Sequence, residues 1–195
     1  MSEPSIDIAL IARTLNARAH AYAIGQLQTI RTELKGFSRR PGTGIFSTQT
    51  ITPHWAFHHG GRKELQFNIG LEDVSGENEL RHGVGLSFEP SQALPDIEVL
   101  IPKARLFNDY MQLYPDHYAD MRMWHFQNDH RSNDYPPGPV MPELVTSGTF
   151  VFLGKRQPFG NINYETILAD FDRLLPLYRS GAVIMFISTN VDLPC

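Results

Sequence analysis

The chain has 195 residues, of which 42% are hydrophobic and 19% are charged, with a formal net charge of −4. This composition excludes a disordered chain and predicts one globular domain. No apolar run approaches the roughly 20 residues that a membrane span needs, and the first residues lack the pattern of a secretory signal. The one cysteine, Cys195, excludes a disulfide framework within the chain. We therefore expect a cytoplasmic protein.

The charge is distributed unevenly along the chain. Residues 31–63 have a local charge of +5, because Glu33 is their one acidic residue, and the remainder holds −9. A basic block on an acidic body is typical of a localised anion-binding surface, although a solvated surface segment has the same composition. The basic residues of the segment are Arg31, Lys35, Arg39, Arg40, Arg62 and Lys63.

The predicted elements begin with one long helix over residues 5–35, whose apolar residues recur at helical spacing. A Gly- and Pro-rich loop over 37–44 follows, and the hydrophobic period then changes to two. This change predicts a helical segment, 1–36, attached to a sheet-and-helix body, 37–195, within one domain. The expected fold class is α+β, with a curved, mainly antiparallel sheet against the N-terminal helix and two further helices.

The body alternates between strand and helix patterns. A long hairpin loop is expected over 72–81, between two of the strands, and a polar, proline-rich loop over 128–143. Pro176 should kink or end the last helix. The predicted strands are 45–51, 64–71, 83–88, 121–126, 148–153 and 182–188, and the predicted helices are 99–114 and 161–179.

The string TPHWAFHHGGRK at 52–63 has two structural interpretations with different chemistry. In a strand, His54 and His58 lie about 13 Å apart at roughly 3.3 Å per residue, which is too far to share a metal ion. In a short helix they are i, i+4 neighbours and can share one, with a third ligand from elsewhere. The second interpretation suggests a metal-dependent nuclease or hydrolase.

Contact with nucleic acid explains more residues of the string 52–63 than a metal site does. Its basic residues suit phosphates, its histidines suit phosphates or base edges, and Trp55 offers stacking area. The alternative is a turn with the aromatic residues in the core. No P-loop, nucleophile elbow or acid-x-Lys nuclease motif is present, so we expect no catalytic residue, cofactor or metal in this domain. A second aromatic and polar cluster, Trp124 to Arg131, is either a pocket wall or ordinary core.

A family resemblance adds to these observations. The strings KELQFNIGLE, ELRHGVGLSFEPSQALPD, LIPKARLFNDYM, MRMW and ILADFDRLLPLY resemble N-terminal specificity domains of modification-dependent restriction endonucleases. The resemblance covers roughly residues 25–180. It implies a domain excised from a longer nuclease of a bacterial defence system. Such a domain binds double-stranded DNA that carries modified cytosine, such as 5-methylcytosine, and leaves cleavage to a separate domain.

The sequence thus predicts a DNA-binding surface, in a chain that either acts alone or forms a homodimer. The other hypotheses are the His54/His58 metal site and a protein-interaction domain built on the N-terminal helix. The residues expected to contact DNA are Arg31, Lys35, Arg39, Arg40, His54, Trp55, His58, His59, Arg62, Lys63 and His82.

Overall fold

The computed structural model describes residues 7–21, 55–57, 65–74, 76–92 and 95–182. They form an α+β fold, in which three α-helices accompany one curled, antiparallel sheet of six strands. The predicted fold class is therefore confirmed. Among these residues, no helix has the length and apolarity that crossing a membrane requires.

The sheet has the strand order β1-β2-β3-β6-β4-β5. Its strands are β1 (Trp55–Phe57), β2 (Gln66–Val74), β3 (Glu77–Ser87), β4 (Arg122–Gln127), β5 (His130–Arg131) and β6 (Phe150–Pro158). The helices are α1 (Ile8–Ala21), α2 (Ile101–Leu113) and α3 (Tyr164–Ala182).

One face of the sheet, which we call the helix face, packs against the helices. Side chains alternate between the two faces of a strand, and register places Phe67, Val84 and Leu153 side by side on this face. The ring of Phe67 lies 5.0 Å from that of Phe171 and stacks 4.5 Å from that of Tyr178, both on α3. Apolar residues of α1 and α2 join the same core.

The prediction of one long helix over 5–35 is not supported. The structure supports a short helix, Ile8–Ala21, and residues 22–35 lie outside the described part. The buried side of α1 consists of Ile8, Ile11, Ala12 and Leu15, which is one seam against the core. Apolar spacing alone predicts that a helix exists but does not fix where it ends.

The loop predicted over 72–81 is instead a continuous hairpin. β2 and β3 pair without interruption as far as Val74 opposite Glu77. The sequence suggested a loop because this stretch is polar and charged. Two of those polar side chains, Glu72 and Arg81, are instead buried and paired with each other. In the sequence alone, a strand whose polar residues have buried partners has the same pattern as a solvated loop.

The later elements have the predicted secondary-structure type but begin or end at different residues. β4 and α2 fall where they were expected, whereas β6 continues to Pro158 and α3 continues past Pro176 to Ala182. Of the two outcomes predicted for Pro176, a kink or an end of the helix, the end is therefore excluded. The expected strand over 45–51, and the part of the last strand beyond residue 182, lie outside the described residues.

We predict that Phe67→Ala lowers the free energy of unfolding by about 3–5 kcal/mol, because it leaves a cavity between the sheet and α3. Urea denaturation followed by circular dichroism measures the change. Leu113→Ala is the matched control, since Leu113 is 73% exposed and its truncation should matter by less than about 0.5 kcal/mol. Equal effects of the two substitutions would contradict the assignment of Phe67 to the core.

Candidate functional site

Two of the predicted DNA-contacting residues, Trp55 and His82, lie in the described part of the chain. The backbone of Trp55 belongs to β1 and pairs with Gly70. Residues Trp55–Phe57 form a strand and not the short helix of the metal-site hypothesis, and His54 and His58 themselves lie outside the described residues. The residues outside the described part are Arg31, Lys35, Arg39, Arg40, His54, His58, His59, Arg62 and Lys63.

His82 lies in the interior on the helix face, and only 1% of its surface is exposed. Its Nε2 is 2.9 Å from Oδ2 of Asp170 on α3, and its ring meets that of Phe171 edge-on. A side chain in this position presents no surface to a duplex. Nothing in the local sequence indicates this burial, because a histidine next to an arginine is common in solvated strands as well.

Asp170 belongs to an ionic network that we call the helix-face network. Lys155 bridges Asp170 at 2.9 Å and Asp120 at 2.7 Å, and Arg173 donates to Asp120 at 2.7 Å. Burial alone would raise the pKa of Asp170, but hydrogen bonds from His82 and Lys155 outweigh it and hold that pKa below its ordinary value. The network ties β3 and β6 to α3 and to the turn after α2.

The hydrogen bond from Arg173 is the main cause of a lowered pKa at Asp120, and Lys155 adds to it. Because the two carboxyl groups of the network bind protons more weakly in the folded chain, unfolding takes up protons in acid. Their stabilising contribution is therefore complete above the ordinary carboxyl pKa of 3.8 and is lost as the pH falls below it.

We predict that Asp120→Asn reduces the acid sensitivity of folding while it lowers stability at neutral pH. Urea denaturation of the unaltered chain and the variant at roughly pH 7 and pH 3 gives the comparison. The difference between the two proteins should be larger at pH 7. Asp109→Asn is the control, because it makes the same chemical change at an exposed position of α2 outside the network. A difference that does not change with pH would contradict the network assignment.

The opposite face of the sheet, which we call the arginine face, is organised around Glu72. This carboxylate is 3% exposed and accepts hydrogen bonds from Nε1 of Trp124 at 2.8 Å, from Arg81 at 3.2 Å and from Arg131 at 3.0 Å. Register explains the meeting, because β2, β3, β6 and β4 are neighbours and alternate residues of each point to this face.

The indole of Trp124 lies among cations. The guanidinium carbons of Arg131 and Arg156 are each 5.1 Å from the centre of its ring. Asp134 pairs with both of these arginines, and Glu79 lies 3.2 Å from Nε of Arg156. The arginine face thus balances its cations with carboxylates and holds their guanidinium groups in fixed positions.

Arg81 lies in a cage of aromatic rings. Its guanidinium carbon is between 5.4 and 5.9 Å from the ring centres of Phe126, Phe150 and Phe152. Gly70 permits this placement, because a Cβ there would come within 2.6 Å of the guanidinium group. Burial lowers the pKa of Arg81, and the ion pair with Glu72 opposes that effect.

The sequence located only part of this face. It identified Trp124 to Arg131 as an aromatic and polar cluster, but strand alternation divides the cluster. Trp124 and Phe126 point to the arginine face, whereas His125 points to the helix face. Glu72, Arg81 and Arg156 were missed because their partners are far away in sequence. The alternation of polar and aromatic residues along these strands was the one sequence signal that could have indicated this face.

The chemistry of the arginine face is hydrogen-bond donation and ring stacking. Its partly exposed donors are Arg131, whose side chain is 21% exposed, and Arg156, at 18%. Within the described ranges, no group of three or more His, Cys, Asp or Glu residues is arranged to hold a metal ion.

Comparisons with protein families, with curated proteins and with solved structures find no match to this chain. The functional argument therefore rests on the residues themselves.

We predict that Glu72→Gln lowers the free energy of unfolding by about 3–5 kcal/mol, because it leaves the buried Arg81 without its counter-charge. Glu79→Gln makes the same chemical change at a carboxylate that contacts one arginine, and it should matter by less than about 1 kcal/mol. Chemical denaturation of both variants gives the comparison. Similar losses in the two variants would show that Glu72 does not organise this face.

Proposed function

We propose that this chain is a specificity domain that binds double-stranded DNA through the basic segment 31–63, with cleavage carried out by a separate domain of a restriction endonuclease. The observation that carries the proposal is the contrast between this segment and the described body. Most cations of the described body pair with carboxylates. These paired cations are Arg13, Arg18, Arg81, Arg131, Lys155, Arg156 and Arg173.

The contrast matters because a paired charge has little effect at a distance. The two charges of an ion pair largely cancel each other's electric field, and salt screens the remaining field beyond about 10 Å. The segment 31–63 instead has six cations and Glu33 alone. Six phosphate contacts would release counterions and give a plot of log affinity against log salt a slope of roughly −5.

The family resemblance of residues 25–180 supports duplex DNA with modified cytosine as the ligand. A cytosine methyl group adds apolar surface worth about 1 kcal/mol when it is buried, which corresponds to roughly fivefold in affinity. Discrimination of this size fits a domain that selects sites for a nuclease placed elsewhere.

We predict that the double variant Arg39→Ala, Arg40→Ala binds duplex DNA more weakly and reduces the salt slope by about two. Anisotropy titrations of a labelled duplex at several salt concentrations measure both quantities. Arg13→Ala with Arg105→Ala is the matched control, because it removes the same charge from exposed positions of the described helices. Equal affinity and slope for all three proteins would exclude the segment as the phosphate-binding surface.

We also predict that a duplex with 5-methylcytosine binds about fivefold more tightly than the unmodified duplex of the same sequence at one fixed salt concentration. Competition titration against the labelled unmodified duplex measures the ratio. Equal binding of the two would remove modified cytosine from the proposal and leave duplex binding. Binding of neither duplex would overturn the whole proposal.

A further inference from the structure

A short proline-containing segment, residues 139–142, lies on the surface beside α2. Its sequence is Pro-Val-Met-Pro, and its backbone is extended as far as Met141. Pro139 and Pro142 are exposed, and Met141 is 42% exposed, whereas the side chain of Val140 is buried in the core. The segment therefore presents its prolines and a methionine to solvent and attaches to the body through its valine.

The backbone of the segment has the geometry of a polyproline II helix. Met141 has φ −65° and ψ 140°, close to the ideal values of about −75° and +145°. The rings of Pro139 and Pro142 fix their own φ in the same region. The chain bends at Pro137, so the regular stretch begins after it. Because this helix has about three residues per turn, Pro139 and Pro142 lie on the same edge of it.

Asn108 on α2 holds the segment in this conformation. The N–H of Val140 donates to Oδ1 of Asn108 at 2.7 Å, and Nδ2 of Asn108 donates to the carbonyl oxygen of Val140 at 3.1 Å. Both backbone polar groups of Val140 are therefore bound to one side-chain amide. A segment that is ordered before it meets a partner loses little conformational entropy when it binds.

We propose that residues 139–142 are a docking segment for a protein domain whose groove is lined with aromatic side chains. Such grooves bind Pro-x-x-P segments in the polyproline II conformation, because the prolines of one edge pack against the aromatic rings. The exposed side chain of Met141 adds apolar contact area beside them. Proline has no N–H to donate, so the segment is poorly suited to the other common mode, addition as a strand to a sheet edge.

The charges around the segment define the partner further. Glu143 is exposed and follows Pro142 directly, and Asp109 is exposed on α2 next to Asn108. These carboxylates repel a nucleic acid and favour a groove that has a lysine or arginine at this end. The docking segment is separate from the basic segment 31–63, so this interaction is additional to the proposed binding of DNA.

Purified SH3, WW and EVH1 domains, each immobilised on a sensor surface, test the proposal with the whole chain in solution. We expect at least one of them to bind, and Pro139→Ala with Pro142→Ala to weaken that binding at least about tenfold. Pro95→Ala with Pro115→Ala is the matched control, because it removes two exposed prolines elsewhere and should leave the affinity unchanged. Binding by none of the domains, or equal losses in the two double variants, would overturn the proposal.

The variant Asn108→Ala tests whether the preformed conformation matters. It should weaken the same binding about threefold to tenfold, because the segment must then be ordered on binding. Circular dichroism shows whether the variant folds. Unchanged affinity in the folded variant would overturn the assignment of Asn108 as the residue that holds the segment.

Nuclear magnetic resonance on the unaltered chain provides a test that does not depend on how a variant folds. Titration with the domain that binds should shift the resonances of residues 138–143 and of neighbouring residues on α2. Shifts confined to other parts of the chain would overturn the proposal. Titration with duplex DNA should leave the resonances of 138–143 unchanged, so this result and the test of DNA binding are read independently.

Discussion

The buried carboxylate of Glu72 is the interaction on which the arginine face depends. It is a single acceptor group, 3% exposed, that meets an indole N–H and guanidinium groups from three other strands or strand edges. Guanidinium groups in an apolar setting are costly unless each has a counter-charge. Placing one carboxylate at their meeting point satisfies several of them at once, and the aromatic rings of this face can then pack against fixed cations.

The curled sheet separates two kinds of interior. On the helix face, apolar residues of β2, β3 and β6 pack against α1, α2 and α3, and burial of Phe67 between the sheet and α3 is typical of that core. On the arginine face, the same strands present charged and aromatic side chains. The helix-face network around Asp170 and Asp120 closes the edge of the first interior with ion pairs. The buried charged groups of Glu72, Arg81 and Asp170 each have identified partners.

This arrangement bears on the proposed function through charge. Most cations of the described body pair with carboxylates, as Arg81, Arg131 and Arg156 do. The segment 31–63 has six cations and Glu33 as its one acidic residue, and in the proposal these cations contact the phosphates of the duplex. In the proposal, the described body therefore supports the domain, and the basic segment contacts the phosphates.

The sequence by itself determined the fold class, the strands with alternating apolar residues, such as the first part of β2, and the uneven charge, because each depends on local pattern or on composition. It did not determine the β2–β3 hairpin or the interior position of His82, because the polar groups there are satisfied by Arg81, Trp124 and Asp170, which are distant in the chain. It also did not show that Trp124 and His125 point to opposite faces of the sheet. Only the tertiary structure decided which polar residues are buried, since that depends on which strands become neighbours and on which face each side chain then lies.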